Sequence, residues 1–179
     1  MRDAVMMLDQ DPQVTGMVSR PVELVWEEGG RTVTHAPDLA VALVDGSIHL
    51  VDCPGSSGPS ARLASRARVA GLCAQDVGWE HRFADAADPV ALANGRWLSV
   101  YRHPRCSAGI PAARLREAFA SPIALFEGAL RLGDPIATLP AVYHGLWHGL
   151  LSMAWDHVLS EETPVVAVPA RRRREGARR

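Results

Sequence analysis

The sequence predicts an α/β protein: a core of helix, β-meander, helix and strand, followed by a mostly helical C-terminal part. Three observations predict it. Strand-like runs separated by turn signals crowd residues 21–52. A single long stretch with helical periodicity follows at 60–76. Beyond Asp88-Pro89 the apolar residues fall into short helical blocks, and the strand pattern returns only near the end.

Taken in order, "MRDAVMMLD" (1–9) reads as a short helix whose start looks cut off, because no capping residue precedes the apolar "AVMML". "PVELVW" (21–26) and "RTVTH" (31–35) are strand-like and flank "EEGG", a hairpin signal. "DLAVALV" (38–44) and "SIHLVD" (47–52) form a second hairpin around Asp45-Gly46. "GSSGP" (55–59) is a loop. The helix at 60–76 places Leu63, Ala67, Ala70 and Cys73 or Val69 on one side, and "WEHRF" (79–83) is a short strand. Residues 89–101 are helical and lead into the loop "RHPRCSAGIP". Helices at 111–119, 122–132 and 135–150, then a helix end and small hairpin over 151–168, outline a winged helix-turn-helix module. The predicted organisation is therefore a core over 1–86, a helix and linker over 87–110, a winged-helix-like domain over 111–168 and a basic tail over 169–179.

Composition narrows the function classes. The chain has 179 residues, 47% of them hydrophobic, enough for one good-sized domain or two small ones. No apolar run approaches the ~20 residues needed to span a bilayer, and the acidic beginning does not read as a secretory signal. A cytoplasmic protein is expected. Cys53, Cys73 and Cys106 are widely spaced, so neither a disulfide framework nor a zinc knuckle is indicated, and buried free thiols are expected. All 19 basic residues are arginine, which removes lysine from any catalytic role. Residues 171–179 hold six arginines and one glutamate, a net +5, so the preceding 170 residues carry −6 of the overall −1. Such a tail can contact phosphate without sequence specificity.

The stretch "THAPDLAVALVDGSIHLVDCPG" carries the candidate chemistry. Asp38 follows a proline at the start of one apolar run and Asp52 closes the next, as in a metal-dependent nuclease. Register decides whether the two can share an ion. A two-residue turn at Asp45-Gly46 sets Asp38 opposite Cys53 and Leu39 opposite Asp52, with the aspartates on opposite faces. A three-residue loop of Asp45, Gly46 and Ser47 sets Asp38 opposite Pro54 and Ala40 opposite Asp52, all on one face. In the second case two carboxylates offer hard oxygen ligands to Mg²⁺, which activates water and stabilises charge at phosphorus. A lysine two positions after Asp52 would help to deprotonate that water. Pro54 stands there instead, and it lacks even an N–H.

The stretches "LDQDPQVTGMVSRPVELVW", "HAPDLAVAL", "VGWEHRF", "DPVALANGRWLSVYRHPRC" and "LPAVYHGLWHGLL" together resemble the TnsA-like endonuclease subunit of heteromeric transposases, in its actinobacterial form. The resemblance runs from about Arg2 to about Val168, with "NGRWLSVYRHPRC" and "LPAVYHGLWHG" its most specific pieces. It implies a restriction-endonuclease-like core and a winged-helix-like C-terminal part. It also implies nicking of DNA at transposon ends with Mg²⁺ (Mn²⁺ as substitute), beside a DDE-type transposase subunit and an AAA+ regulator ATPase. By position Asp38 becomes the "PD" metal ligand and Asp52 the second ligand. The sequence departs from the family twice. The glutamate of an "ESxLE"-like first-helix stretch is absent, and Pro54 replaces the basic residue after the second ligand. Arg62 and Arg66 on the next helix could reach the site, but a guanidinium stays protonated and cannot act as base. These departures make a non-catalytic DNA- or ATPase-binding accessory subunit of the same system the alternative.

Other constellations read more simply. "HGLWH" puts His144 and His148 at the spacing of zinc-protease histidines, but Gly145 stands where the essential glutamate belongs, so packing or surface histidines are expected. His35 is expected to be structural, hydrogen-bonding near the aspartates. Trp147, Trp155, Leu146, Leu150, Leu151 and Met153 read as core. The loop "YRHPRC" offers a small basic surface for DNA or a join between domains, and the sequence leaves both open. A winged-helix regulator unrelated to transposition would need a basic recognition helix, whereas 135–150 holds no arginine or lysine.

Overall fold

The computed structural model describes residues 1–169 apart from Ser56, Ala87 and Ala108, so the basic stretch 171–179 lies outside the described residues. The chain divides into two units, residues up to 87 and from 88 onward. The coarse expectation of an α/β protein with a mixed sheet and helices is met. Among the described residues no helix is long and apolar enough to cross a membrane.

The first unit contains α1 (Arg2–Gln10), β1 (Val14–Ser19), β2 (Leu24–Glu28), β3 (Arg31–His35), β4 (Leu39–Leu43), β5 (Ile48–Asp52), α2 (Ala61–Asp76) and β6 (Glu80–Phe83). Its main sheet has the order β1-β4-β5-β6; β6 runs parallel to β5 and the other pairs are antiparallel. β2 and β3 form a separate ribbon, turned by Gly29 and Gly30, both in the left-handed region that such a two-residue turn requires. Strand β1 was not anticipated. A register shift between Val14 and Gly16 breaks its two-residue alternation, which hides an edge strand from periodicity.

The two faces of the sheet carry different cover. Leu39, Val41 and Val51 share one face, where Val5 and Leu8 of α1 pack together with Val14 and Met17. Leu50 and His81, paired across β5 and β6, point to the other face. There α2 approaches closely: it buries only Ala67, Ala70 and Ala74, and a Cβ at Gly71 would lie 3.8 Å from that of His81. The small residues set that close approach, and Ser60 caps the helix by accepting from the Leu63 N–H. One expectation is corrected here: of the three thiols expected to be buried, Cys73 is exposed, because the helix turns its alanines inward, and Cys53 and Cys106 are only half-buried.

The second unit contains α3 (Pro89–Leu98), two 3-10 turns (Ser99–Tyr101 and Pro104–Ser107), α4 (Ala112–Ala118), β7 (Ile123–Ala124), α5 (Leu125–Leu132), α6 (Pro135–Trp147), β8 (Leu151–Ser152) and β9 (Pro164–Ala167). The three strands form an antiparallel sheet in the order β7-β9-β8. Asp88 and Asp134 cap α3 and α6, each followed by proline at the first helical position. The core is built from Leu98, Leu115, Phe119, Leu125, Val142, Leu146, Trp147, Leu151 and Val165. The segment 87–110 is more than a linker, since α3 and both 3-10 turns pack on α6. The helix expected at 122–132 starts later, because Ile123 pairs with Val165. The one expected at 135–150 stops at Trp147, where Gly149 turns left-handed and the Leu150 N–H bonds back to the Gly145 carbonyl.

Candidate metal centre

The β4–β5 hairpin takes neither of the two registers expected. Leu39 pairs with Val51, Ala40 with Leu50, Val41 with His49 and Ala42 with Ile48. The loop consists of Val44, Asp45 and Gly46, closed by the Leu43 N–H on the Ser47 carbonyl. Gly46 sits at φ 90°, and the Asp45 carboxylate accepts from both the N–H and the hydroxyl of Ser47. These bonds hold Ser47 in the closing pair and shift the register past both alternatives. Extended by one residue, the pairing sets Asp38 opposite Asp52. Both therefore belong to the face that α2 covers.

The two aspartates nevertheless have different partners. Asp38 is half-buried, and its Oδ2 accepts from the Cys53 N–H at 2.8 Å. Its carbonyl accepts from Arg20, a non-glycine residue held in the left-handed region at φ 46°. Asp52 is buried at the end of β5, its carbonyl accepting from the Ala84 N–H. Its Oδ2 meets Nε2 of His35 at 2.9 Å and Nε2 of His81 at 2.8 Å. The three side chains are 7, 2 and 6% exposed for His35, Asp52 and His81. Their ligand atoms all lie within 4.8 Å of one another, and Asp38 stands outside this group.

Each of the three comes from a different strand. His35 ends β3, just before the Pro37-Asp38 turn, and Asp52 ends β5. His81 sits in β6 opposite Leu50, two residues from Phe83, whose ring it meets edge-on at 5.6 Å. An open hollow of about 500 Å³, lined by Gly71, Gln75, Gly78, Trp79 and Glu80, reaches His81. Burial by itself would raise the Asp52 carboxyl. The hydrogen bonds from His81 and His35 outweigh it and hold the group below the usual carboxylate range. Asp52 is thus kept as an anion inside the protein, the form that ligates a cation. Burial pushes the neighbouring Cys53 thiol up, which makes it a poor thiolate ligand.

Sequence reasoning singled out Asp52, gave His35 a structural place and missed His81. The only signal for His81 was a histidine in strand phase within "WEHRF", and its meaning depends on a parallel pairing that local pattern does not reveal. Pro54 lies just past β5 and is half-buried, while Arg62 is exposed and Arg66 half-buried in the first turns of α2. In the second unit His144 and His148 bond backbone carbonyls of Tyr101 and Arg102, at 2.8 and 2.9 Å. A side chain at Gly145 would crowd Leu151 at 3.2 Å, so the position is small for packing.

No protein-family model matches the chain, and no curated protein shows significant similarity to it.

Proposed function

We propose that the chain is a nuclease-fold subunit of a heteromeric transposition system, similar to the TnsA-like endonuclease subunit. It would act on DNA at transposon ends, beside a DDE-type transposase subunit and an AAA+ regulator ATPase. One observation carries the reading: Asp38 and Asp52 flank the Leu39–Val51 pair at the end of the central antiparallel hairpin, and the Asp38 carboxylate accepts from the N–H of Cys53, the residue after Asp52. Around them the order is helix, antiparallel strands, helix and parallel strand, with the helices on opposite faces. That order supports a restriction-endonuclease-like core. In the second unit the order α4, β7, α5, α6, β8, β9, with a three-stranded sheet joining all three strands, supports a winged-helix-like module.

A divalent ion such as Mg²⁺ or Mn²⁺, when bound by the two carboxylates, supplies an activated water and neutralises charge at phosphorus. The chain's own contribution is positional. His35 and His81 hold the Asp52 carboxylate charged and oriented, and the Cys53 N–H does the same for Asp38. In both carboxylates these bonds fall on Oδ2. Pro54 offers no proton acceptor to an attacking water, which favours the second reading, an accessory subunit that binds DNA or the ATPase without cutting.

The test is a nicking assay on supercoiled DNA carrying the transposon ends, with the partner subunits and Mg²⁺ or Mn²⁺ present. The nuclease reading expects open circles from the wild type and none from Asp38→Ala or Asp52→Ala. No nicking by the wild type, together with transposition that survives Asp38→Ala, would establish the accessory role instead.

A further inference from the structure

We infer that His35, Asp52 and His81 bind one first-row transition ion of the Zn²⁺ class through Nε2, Oδ2 and Nε2. The inference shares Asp52 with the nuclease reading but does not require DNA cleavage.

Three strands, β3, β5 and β6, bring three ligand-type atoms to one buried point. Both imidazoles use Nε2, and both aim it at the same carboxylate oxygen, at 2.9 and 2.8 Å. Ligands bonded to a common tetrahedral zinc at about 2.0–2.2 Å stand roughly 3.3 Å apart. Both histidine-to-Asp52 distances are near this, and with all three atoms within 4.8 Å of one another a small closing of the two imidazoles completes the set. For Nε2 to ligate, the proton it shares with Oδ2 must move to Nδ1 of a neutral ring or leave to solvent from an imidazolium, which frees the Nε2 lone pair for the ion.

The donor set also selects the ion. Mg²⁺ prefers an all-oxygen octahedron and keeps its waters, which two buried imidazoles cannot provide. Two histidines and one carboxylate suit Zn²⁺, Co²⁺, Fe²⁺ or Mn²⁺. Three protein ligands leave at least one position for water, and His81 forms part of the wall of the open hollow. The alternative occupant of the same geometry is nothing at all, a buried hydrogen-bond cluster that only braces the sheet.

Co²⁺ titration of the full-length protein distinguishes these. The expected result is a visible d–d absorption that saturates at one equivalent, is abolished by one equivalent of Zn²⁺ and survives excess Mg²⁺. It should disappear in His35→Ala and His81→Ala and persist in Asp38→Ala. Because His35 is buried, His81→Asn with a wild-type circular dichroism spectrum serves as the folded control, and it too should lose the band. No band in the wild type, or a band that persists in folded His81→Asn, overturns the inference. So does a band lost in Asp38→Ala, which would assign the ion to the carboxylate pair. Co²⁺ binding without nicking defeats only the nuclease reading, and Mg²⁺-dependent nicking without Co²⁺ binding defeats only this one.

Discussion

The two units bury their polar groups in opposite ways. Among the described residues of the first, the polar residues buried whole are His35 and Asp52, both ionisable, and they bond each other and His81. Among the described residues of the second they are Asn94, Thr138 and Thr163, all neutral, and all bonded to backbone. Asn94 alone takes the carbonyls of Trp155 and His157 and gives its own oxygen to the Leu159 N–H. Neutral groups bonded to main chain pin loops in place. Ionisable groups bonded to each other cost more to bury and persist where chemistry or a ligand compensates. The hydrophobic cores follow the same division, thin and alanine-rich under α2 but dense with leucine and aromatic rings around α6.

The sharpest way to break this contrast is Asp52→Ala. It leaves two buried imidazoles without their acceptor and should destabilise the first unit by about 3 kcal/mol. Hydrogen exchange would show lost protection in β5 and β6 with α5 and α6 unaffected; uniform loss would mean that the units do not unfold separately. In the second unit the counterpart is steric. A methyl at Gly128 would lie 2.1 Å from the fully buried Phe119 ring. Gly128→Ala should therefore cost about 2 kcal/mol by overpacking. Thermal melts would show it, and Co²⁺ binding should be unchanged.

Asn94→Ala removes three backbone contacts and should cost about 1–2 kcal/mol, read as faster proteolysis of residues 155–159. The mildest test is acid. Asp52 has a folded-state pKa below that of the unfolded chain, so its contribution is fully present above the ordinary carboxylate range. It is lost as pH falls through the lowered folded value. An acid titration followed by residue-level NMR should loosen β5 and β6 before the Asn94 cluster, which has no charge to lose. Simultaneous loosening would sink the contrast.

Much of the chain was legible because local chemistry determined it. The Gly29-Gly30 turn, the helix starts near 60, 89 and 135 and the alternation of β4 and β5 each reside in a few adjacent residues. β1 was hidden by its bulge, and β7 by lying inside what reads as a helix start. The candidate site was legible only in part. Asp38 and Asp52 stood out through a proline and a strand end, but their relation turned on one residue of register. The Asp45–Ser47 bonds decided that register, and alternation cannot count a loop.

The sequence by itself thus determined most of the helices, the two hairpins and the presence of a charged strand end in an apolar surrounding. Only the tertiary structure decided which groups that carboxylate faces. His35 is 17 residues before Asp52 and His81 is 29 after it. Their meeting requires a hairpin, a ribbon and a parallel crossover to close together. Periodicity reports which face a side chain takes within its own element. Which other elements converge on that face is set by long-range strand pairing, and no local pattern encodes it.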